Sequence, residues 1–226
     1  MICSGEQTVV FHPLSVNNIR VVEQIITSLS IKSQGILELS NKGINFLSKE
    51  TTTSITCKIE SELDWQYNEQ LNFKEPIYII GAGHVGLAVS KLLKSLNFYV
   101  EIFDDRTNLN TLNQNCFVDK KEIIDFNKID NYVVKNAFVL IMTTKFTSDK
   151  LVLTKLLKSE KVYKYLGVLG SKSKIETLFE MLISEGFTKE ELQKVHAPIG
   201  LQINSQTPEE IAISIAAQII QIKNKS

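Results

Sequence analysis

The chain has 226 residues, enough for one large domain or two small ones with buried cores. Its 25 basic and 25 acidic side chains cancel, so the charge gives no case for binding nucleic acid or a membrane surface. The sequence shows no apolar run of about 18 residues that could cross a bilayer, and its N-terminus does not resemble a signal peptide. Three widely spaced cysteines favour a reducing, cytoplasmic setting over a disulfide framework.

The first 75 residues differ in pattern from the rest and predict a small α+β domain, 1–75. Apolar residues at helical spacing predict a helix over 16–29. Segment 35–47 predicts a β-hairpin around Asn-Lys-Gly, and the alternating, Thr-rich segment 51–59 predicts another strand. The polar and aromatic segment 61–75 is interpreted as a linker or a covering strand, so the domain boundary is placed at its end.

A glycine-rich turn organises the remainder of the chain. The apolar run 77–80 ends in Gly-Ala-Gly-His-Val-Gly, and a helical pattern follows at once over 85–96. At such a turn the first two glycines, Gly81 and Gly83, let the backbone turn tightly and approach a pyrophosphate. The third, Gly86, lets helix and strand pack closely, and the helix N-terminus faces the anion. The motif therefore predicts a nucleotide-binding, Rossmann-type unit.

Polar side chains follow the next predicted strand, 98–103. Asp104 stands close to the position, about 20 residues after the motif, where a ribose-binding carboxylate is expected, although it could instead cap the next segment. Arg106 could form a local ion pair with Asp105 or bind a phosphate, whose geometry matches a guanidinium fork. His84, directly after the second glycine, either faces the phosphates or has a structural role.

Strands and helices continue to alternate, which predicts an α/β fold with a doubly wound parallel sheet in a Rossmann-like domain, 76–226. Further strands are predicted at 116–118, 137–142 and 163–169, with helices at 148–158, after 174 and after the cap at 207. The ligand is expected at the carboxyl ends of the strands. The apolar stripe of the last helix is explained equally by a homodimer contact and by packing on the sheet.

Basic residues gather near one of these strand ends. Gly170, Ser171 and Lys172 precede or begin a helix, together with Lys174, and have the geometry of an anion site. Residues 145–175 hold eight lysines against two acidic residues. This local excess favours an anionic ligand, although lysines on a helix commonly form a solvated face. In contrast, His196 is predicted to be a structural loop histidine.

Three segments of the chain match one known family. They are the glycine motif with Phe-Asp-Asp-Arg after the next strand, Tyr-Leu-Gly-Val-Leu-Gly-Ser-Lys at 165–172, and Pro-Ile-Gly-Leu at 198–201 followed by Thr-Pro-Glu-Glu-Ile-Ala at 207–212. Together they resemble the xanthine dehydrogenase accessory factor family of the XdhC/CoxI type, over residues 76–222. The resemblance implies a protein that binds the molybdenum cofactor (molybdopterin) and protects it while a sulfurating partner installs its terminal sulfur. It also implies delivery to a xanthine dehydrogenase-type apoenzyme.

The N-terminus resembles the family more loosely. Cys3-Ser4-Gly5-Glu6 is similar to a Cys-Gly-Gly-Glu stretch, which implies that Cys3 lies at the cofactor site as a soft ligand for molybdenum or a sulfur carrier. The family has a longer region before this cysteine, so domain 1–75 is expected to be shortened or incomplete. A family Thr-His pair corresponds here to Thr143-Thr144. Cys57 and Cys116 lie in strand-like runs and are predicted to be core residues.

Three functions remain open from the sequence. The leading hypothesis is a molybdenum cofactor-binding maturation factor that acts by binding and protection rather than by turnover. Its glycine turn and the region of Lys172 would hold the phosphate end of the cofactor. The second hypothesis is an NAD(P)-dependent oxidoreductase, although no Tyr-x-x-x-Lys proton donor follows the motif in the sequence. The third is a non-catalytic nucleotide sensor that acts through a protein partner.

Overall fold

The protein is described here from a computed structural model. The residues that it describes are 9–31, 33–49, 55–71 and 74–224. The chain divides into two compact units, Met1–Phe73 and Lys74–Ser226. Cys3, with its predicted place at the cofactor site, lies outside the described residues. Across the described ranges, no helix is long and apolar enough to cross a membrane.

The first unit combines one helix with a four-stranded antiparallel sheet. A 3-10 turn, Val16–Asn18, leads into helix α1, Ile19–Ser30. The strands are β1 (Gly35–Ser40), β2 (Gly43–Leu47), β3 (Ile55–Ser61) and β4 (Asp64–Leu71), and they pair in the order β2-β1-β4-β3. The predicted helix and hairpin are confirmed. The segment interpreted as a linker or covering strand is instead an inner strand, because β4 pairs with β1 and with β3.

Two cysteines that the sequence predicts in the core are exposed. Cys57 lies on β3, the edge strand of the small sheet, where every residue is exposed. Cys116 lies in an irregular connection and is also exposed. The prediction was wrong because an alternating run has the same appearance in an inner strand and in an edge strand whose faces meet solvent.

The second unit is a five-stranded parallel sheet with helices on both faces. Its strands are β5 (Pro76–Ile80), β6 (Tyr99–Asp104), β7 (Lys120–Ile123), β8 (Phe138–Ile141) and β9 (Tyr165–Val168). Its helices are α2 (His84–Ser95), α3 (Asn110–Gln114), α4 (Phe146–Lys158), α5 (Lys172–Ser184), α6 (Lys189–Leu192) and α7 (Pro208–Lys223), with a 3-10 segment at Phe126–Asn131. The strand order is β7-β6-β5-β8-β9, and all four pairings are parallel. This confirms the predicted α/β, Rossmann-type sheet beside a small α+β region.

The third strand in chain order is β7, and not the apolar segment 116–118 that the sequence predicts. Its sequence is Lys-Lys-Glu-Ile, and three of its four residues are exposed at one of the two edges of the sheet. Only backbone pairing with β6 defines it. The hydrophobic pattern of the sequence therefore does not show where β7 lies.

Two hydrophobic clusters fill the two faces of the parallel sheet. On β5, Ile77 and Ile79 belong to the cluster beneath α2 and α7, whereas Tyr78 and Ile80 belong to the cluster beneath α4 and α5. Because the side chains of β5 are buried on both faces of the sheet, its sequence is a continuous apolar run and does not alternate. Four residues of the apolar stripe of α7, Ala212, Ile215, Ala216 and Ile219, are buried in the first cluster, so packing within the unit accounts for them. Ile220, at the end of the stripe, is 38% exposed.

Glu75, just before β5, is the buried carboxylate of an ion triplet. It is only 9% exposed, and it accepts a hydrogen bond from Lys164 Nζ at 2.5 Å. Lys223 Nζ, at the end of α7, lies 3.0 Å from its other oxygen. Burial raises the pKa of Glu75, but the two ammonium groups outweigh burial and hold this pKa below its ordinary value.

We expect Glu75→Gln to lower the free energy of unfolding near pH 7 by about 2 kcal/mol, as for a hydrogen bond to a charged group. Because the folded pKa of Glu75 is depressed, its stabilisation is present above the unfolded pKa and is lost as the pH falls through the folded value. Urea unfolding at neutral and acid pH measures this, and a difference that does not shrink in acid would contradict the assignment. Glu185→Gln, which removes a more exposed pair with Lys150, is the control and should cost less than about 0.5 kcal/mol.

Candidate functional site

The strand order places a crevice between β5 and β8. From β5 the chain crosses to β6 and β7 on one side, whereas β8 and β9 lie on the other side. Ligands of open α/β sheets bind at such a switch point, outside the carboxyl ends of the strands. Here those ends carry the glycine turn, 81–86, after β5 and the connection 142–145 after β8.

The structure explains each of the three glycines of the turn in a different way. Gly81 has φ of 114°, and a Cβ there would lie 2.3 Å from the carbonyl oxygen of Met142. A Cβ on Gly86 would lie 2.4 Å from the carbonyl oxygen of Gly81. Gly83 is different, because its φ is −71° and a Cβ would meet nothing within 4 Å. The fold requires the first and third glycines, whereas the second leaves open space of the kind that a closely approaching phosphate needs.

Gly83 is also the N-cap of α2 and supplies no side-chain bond to the first turn. The first amides of a helix have no acceptor within the helix and carry partial positive charge. His84, the first residue of α2, is exposed beside them. The open side of the turn therefore offers backbone donors to an anion.

The middle residue of the turn, Ala82, is held through both of its backbone groups. Its N–H donates to Asp104 Oδ2 at 2.7 Å, and the hydroxyl of Thr111 donates to its carbonyl oxygen. Asp104 is 1% exposed and also accepts bonds from Arg106 N at 3.0 Å, Nε at 2.8 Å and Nη2 at 2.8 Å. The ion pair of Arg106 is therefore with Asp104. Asp105, the partner suggested by the sequence, is exposed.

The charge state of Asp104 follows from these contacts. Burial raises its pKa, but the hydrogen bonds from Arg106 and from the amide of Ala82 outweigh burial and hold the pKa below its ordinary value. The same contact raises the pKa of Arg106. At neutral pH the pair is therefore a carboxylate and a guanidinium.

The predicted anion-binding residues after β9 lie where α5 begins. Ser171 is the N-cap of α5, and its hydroxyl accepts a bond from Lys174 N at 3.2 Å. Lys172 is the first residue of the helix and is exposed, whereas Gly170 is half-buried. The hydroxyl of Ser171 thus caps α5, and the ammonium group of Lys172 faces solvent.

Most of the lysines between residues 145 and 175 make contacts within the protein. Five of them contact a carboxylate, a carbonyl group or an aromatic ring: Lys150, Lys158, Lys161, Lys164 and Lys174. The pKa of Asp125 is lowered chiefly by hydrogen bonds from Asn127, and Lys155 makes a smaller electrostatic contribution. Lys145 and Lys172 have no carboxylate partner within the part of the chain that the structure describes, and they stand at the starts of α4 and α5. The charge left for a ligand is therefore concentrated at the carboxyl edge of the sheet.

A buried network lies beneath this edge. Asp149 is fully buried and accepts bonds from Lys174 Nζ, from Thr143 N at 3.0 Å and from Thr143 Oγ1 at 2.6 Å. Lys174 Nζ also donates to the carbonyl oxygen of Leu169 at 3.2 Å. The network ties the connection after β8 to the connection after β9, so Lys174 has a structural role.

His196 lies beside β9 and has the structural role that the sequence predicts. Its ring stacks on Tyr165 with centroids 4.5 Å apart, and its backbone N–H donates to the carbonyl oxygen of Leu166 at 2.8 Å. Burial lowers its pKa. The following Pro-Ile-Gly-Leu segment is hydrogen-bonded to α7: Gly200 N donates to Gln218 Oε1 at 2.8 Å.

The strand order and the glycine turn define the second unit as a Rossmann-type domain. Residues 77–219 match the model of the XdhC Rossmann domain. The chain therefore belongs to the XdhC family, which confirms the resemblance found in the sequence.

The chain spans only part of the length of two similar proteins. The chain is 34% identical over 160 residues to the uncharacterized protein YqeB of Escherichia coli (strain K12), an alignment that covers 66% of this chain and 28% of YqeB. Its fold is similar to that of a crystal structure described as a xanthine dehydrogenase (BH1974) from Bacillus halodurans. That likeness has a TM-score of 0.69 at 23% identity, and it covers 94% of this chain and 66% of the other.

We expect Gly83→Ala to change the free energy of unfolding by less than about 1 kcal/mol, because the site has room and an ordinary φ. Gly86→Ala should cost at least about 2 kcal/mol, because its Cβ would overlap the carbonyl oxygen of Gly81. Denaturant unfolding of the two variants measures the difference. Equal losses would contradict the distinction between the second and the third glycine.

We expect Lys174→Met to lower the free energy of unfolding by about 3 kcal/mol, because it leaves the buried carboxylate of Asp149 without its cation. Lys172→Met, two residues earlier on the exposed side, is the matched control and should change it by less than about 0.5 kcal/mol. Thermal and urea unfolding of both variants decide the matter. Similar stability of the two would show that the Asp149 pair is not required.

Proposed function

We propose that the protein binds the molybdenum cofactor and acts as an accessory factor for a xanthine dehydrogenase-type molybdoenzyme. Gly83 carries the proposal: in a chain of the XdhC family, the fold itself does not require this glycine, and the space above it is open. The cofactor is a pterin with a phosphate or nucleotide tail. That tail is an anion of the kind that a glycine turn at a helix N-terminus accepts.

The residues around the crevice fit such a tail. The first-turn amides of α2 would bind its phosphate oxygens, with His84 beside them. Lys145 and Lys172 add positive charge at the same edge of the sheet. When bound, the cofactor supplies the molybdenum centre that the client enzyme uses for its redox chemistry.

The surrounding side chains favour a binding role over turnover. Asp104 and Asp149 are buried, and each is held by a cation and by backbone donors. The hydroxyl of Ser171 caps α5. Such engaged groups are poor candidates for a general base or a nucleophile. Protection of the cofactor, receipt of its terminal sulfur from a sulfurating partner in the cytoplasm, and delivery to an apoenzyme complete the proposed role.

A second candidate function is the binding of a nicotinamide dinucleotide. The glycine turn and the order of the five parallel strands favour it, because dinucleotide-binding domains share both features. The engagement of Asp104 counts against it, since that carboxylate would have to leave four internal bonds to accept a ribose hydroxyl.

The experiment is an anaerobic titration of the purified chain with molybdenum cofactor released from a molybdoenzyme, read out as protein-bound pterin and molybdenum after gel filtration. We expect saturable binding, and we expect Gly83→Ala, which should remain folded, to weaken it at least about tenfold by filling the open side of the turn. Lys155→Met, in the last turn of α4, is the control. Quenching of NADH fluorescence at micromolar affinity, together with no retention of the cofactor, would overturn the proposal in favour of the second candidate.

A further inference from the structure

The carboxylate of Asp104 has no acceptor position left for a ligand. A carboxylate offers about four lone-pair positions on its two oxygens. Four donors already occupy Asp104: two on Oδ1, from Arg106 N at 3.0 Å and Nε at 2.8 Å, and two on Oδ2, from Ala82 N at 2.7 Å and Arg106 Nη2 at 2.8 Å. The residue is also only 1% exposed. A ribose diol, which binds by donating to a carboxylate, would meet no free acceptor on this side chain.

Arg106 is engaged on one edge only. Its guanidinium has five N–H donors, and the pair with Asp104 uses one on Nε and one on Nη2. The side chain is 34% exposed, so the outer edge of the guanidinium is accessible. Its position is fixed, because a bidentate pair holds the plane of the guanidinium.

This guanidinium lies beside the glycine turn. Ala82 N and Arg106 Nη2 both donate to Asp104 Oδ2, at 2.7 and 2.8 Å, so one oxygen holds the turn and the cation together. In Rossmann domains that bind a phosphorylated ribose, an arginine near the end of the second strand accommodates that phosphate. Arg106 stands two residues beyond the end of β6, which is the second strand of this sheet in chain order.

We propose that Arg106, held in place by Asp104, contacts a phosphate group of the bound ligand, and that Asp104 is a positioning residue that does not bind a ribose. The inference rests on the proposed function in that it concerns the same crevice. It defines the ligand class: a molecule with an anionic phosphate at this end is preferred over one with free vicinal hydroxyls. In this proposal Asp104 does not bind a ribose; its carboxylate holds the glycine turn and Arg106 in place.

Isothermal titration with ADP-ribose and 2′-phospho-ADP-ribose tests the preference, since the two probes differ by one phosphate group. We expect the phosphorylated probe to bind the wild-type chain at least about tenfold more tightly, the factor that corresponds to one charge-assisted contact. Arg106→Lys keeps the charge and loses the fork, so the preference should fall to less than about threefold. Arg20→Lys changes the other arginine of the chain, on α1, and is the matched control that should keep the full preference.

Equal affinity for the two probes, tighter binding of ADP-ribose, or no binding of either would overturn the inference. The comparison on the wild-type chain needs no variant, so the inference stays falsifiable if Arg106→Lys fails to fold. Asp105→Asn removes the exposed neighbouring carboxylate, and a loss of ADP-ribose affinity in that variant would show that Asp105 reads the ribose instead. Retention of the molybdenum cofactor without the phosphate preference would overturn this inference alone. The phosphate preference without cofactor retention would overturn only the proposed function.

Discussion

The hydrogen bond from Ala82 N–H to Asp104 is the contact on which the geometry of the site depends. It joins the turn after β5 to the end of β6, so two neighbouring strands present their carboxyl ends as one surface. Thr111 fixes the same residue from its carbonyl side. With both backbone groups of Ala82 engaged, the turn has little freedom to move when a ligand arrives. Pre-organisation of this kind lowers the entropic cost of binding.

The opposite wall of the crevice is built by a second buried carboxylate. Asp149 holds the connection after β8 through Thr143 and the connection after β9 through Lys174. Both walls thus use an aspartate with one cation and at least one backbone amide. Both aspartates are paired with a cation inside the protein, whereas Lys145 and Lys172 are exposed at the edge together with one acidic residue, Asp105. The two exposed lysines support the proposed anionic ligand more directly than the count of lysines does.

Sequence reasoning recovered the features that rest on short-range rules. The glycine turn, the buried strands β5 and β8 and the capping box of α7 at Thr207 follow from local spacing and residue type. It failed for β7, a polar strand whose backbone pairs with β6, a segment about 20 residues earlier in the chain. It also failed for three contacts of the buried aspartates, because Ala82 lies 22 residues from Asp104, and Thr143 and Lys174 lie 6 and 25 residues from Asp149. These partners meet only after the sheet forms.

The packing of α2 against α7 has a consequence for how the site comes into being. The inner face of α2, which begins at the glycine turn, shares one hydrophobic cluster with the last helix of the unit. The apolar face of α2 packs on β5 and β6, and the part of it that contacts α7 remains uncovered until the C-terminal helix has been synthesised and has docked. Contacts that join such distant segments also form slowly. Under the proposed function, cofactor loading is therefore expected to follow synthesis of the whole unit, since a nascent chain without α7 would present the glycine motif without one of the helices that pack against α2.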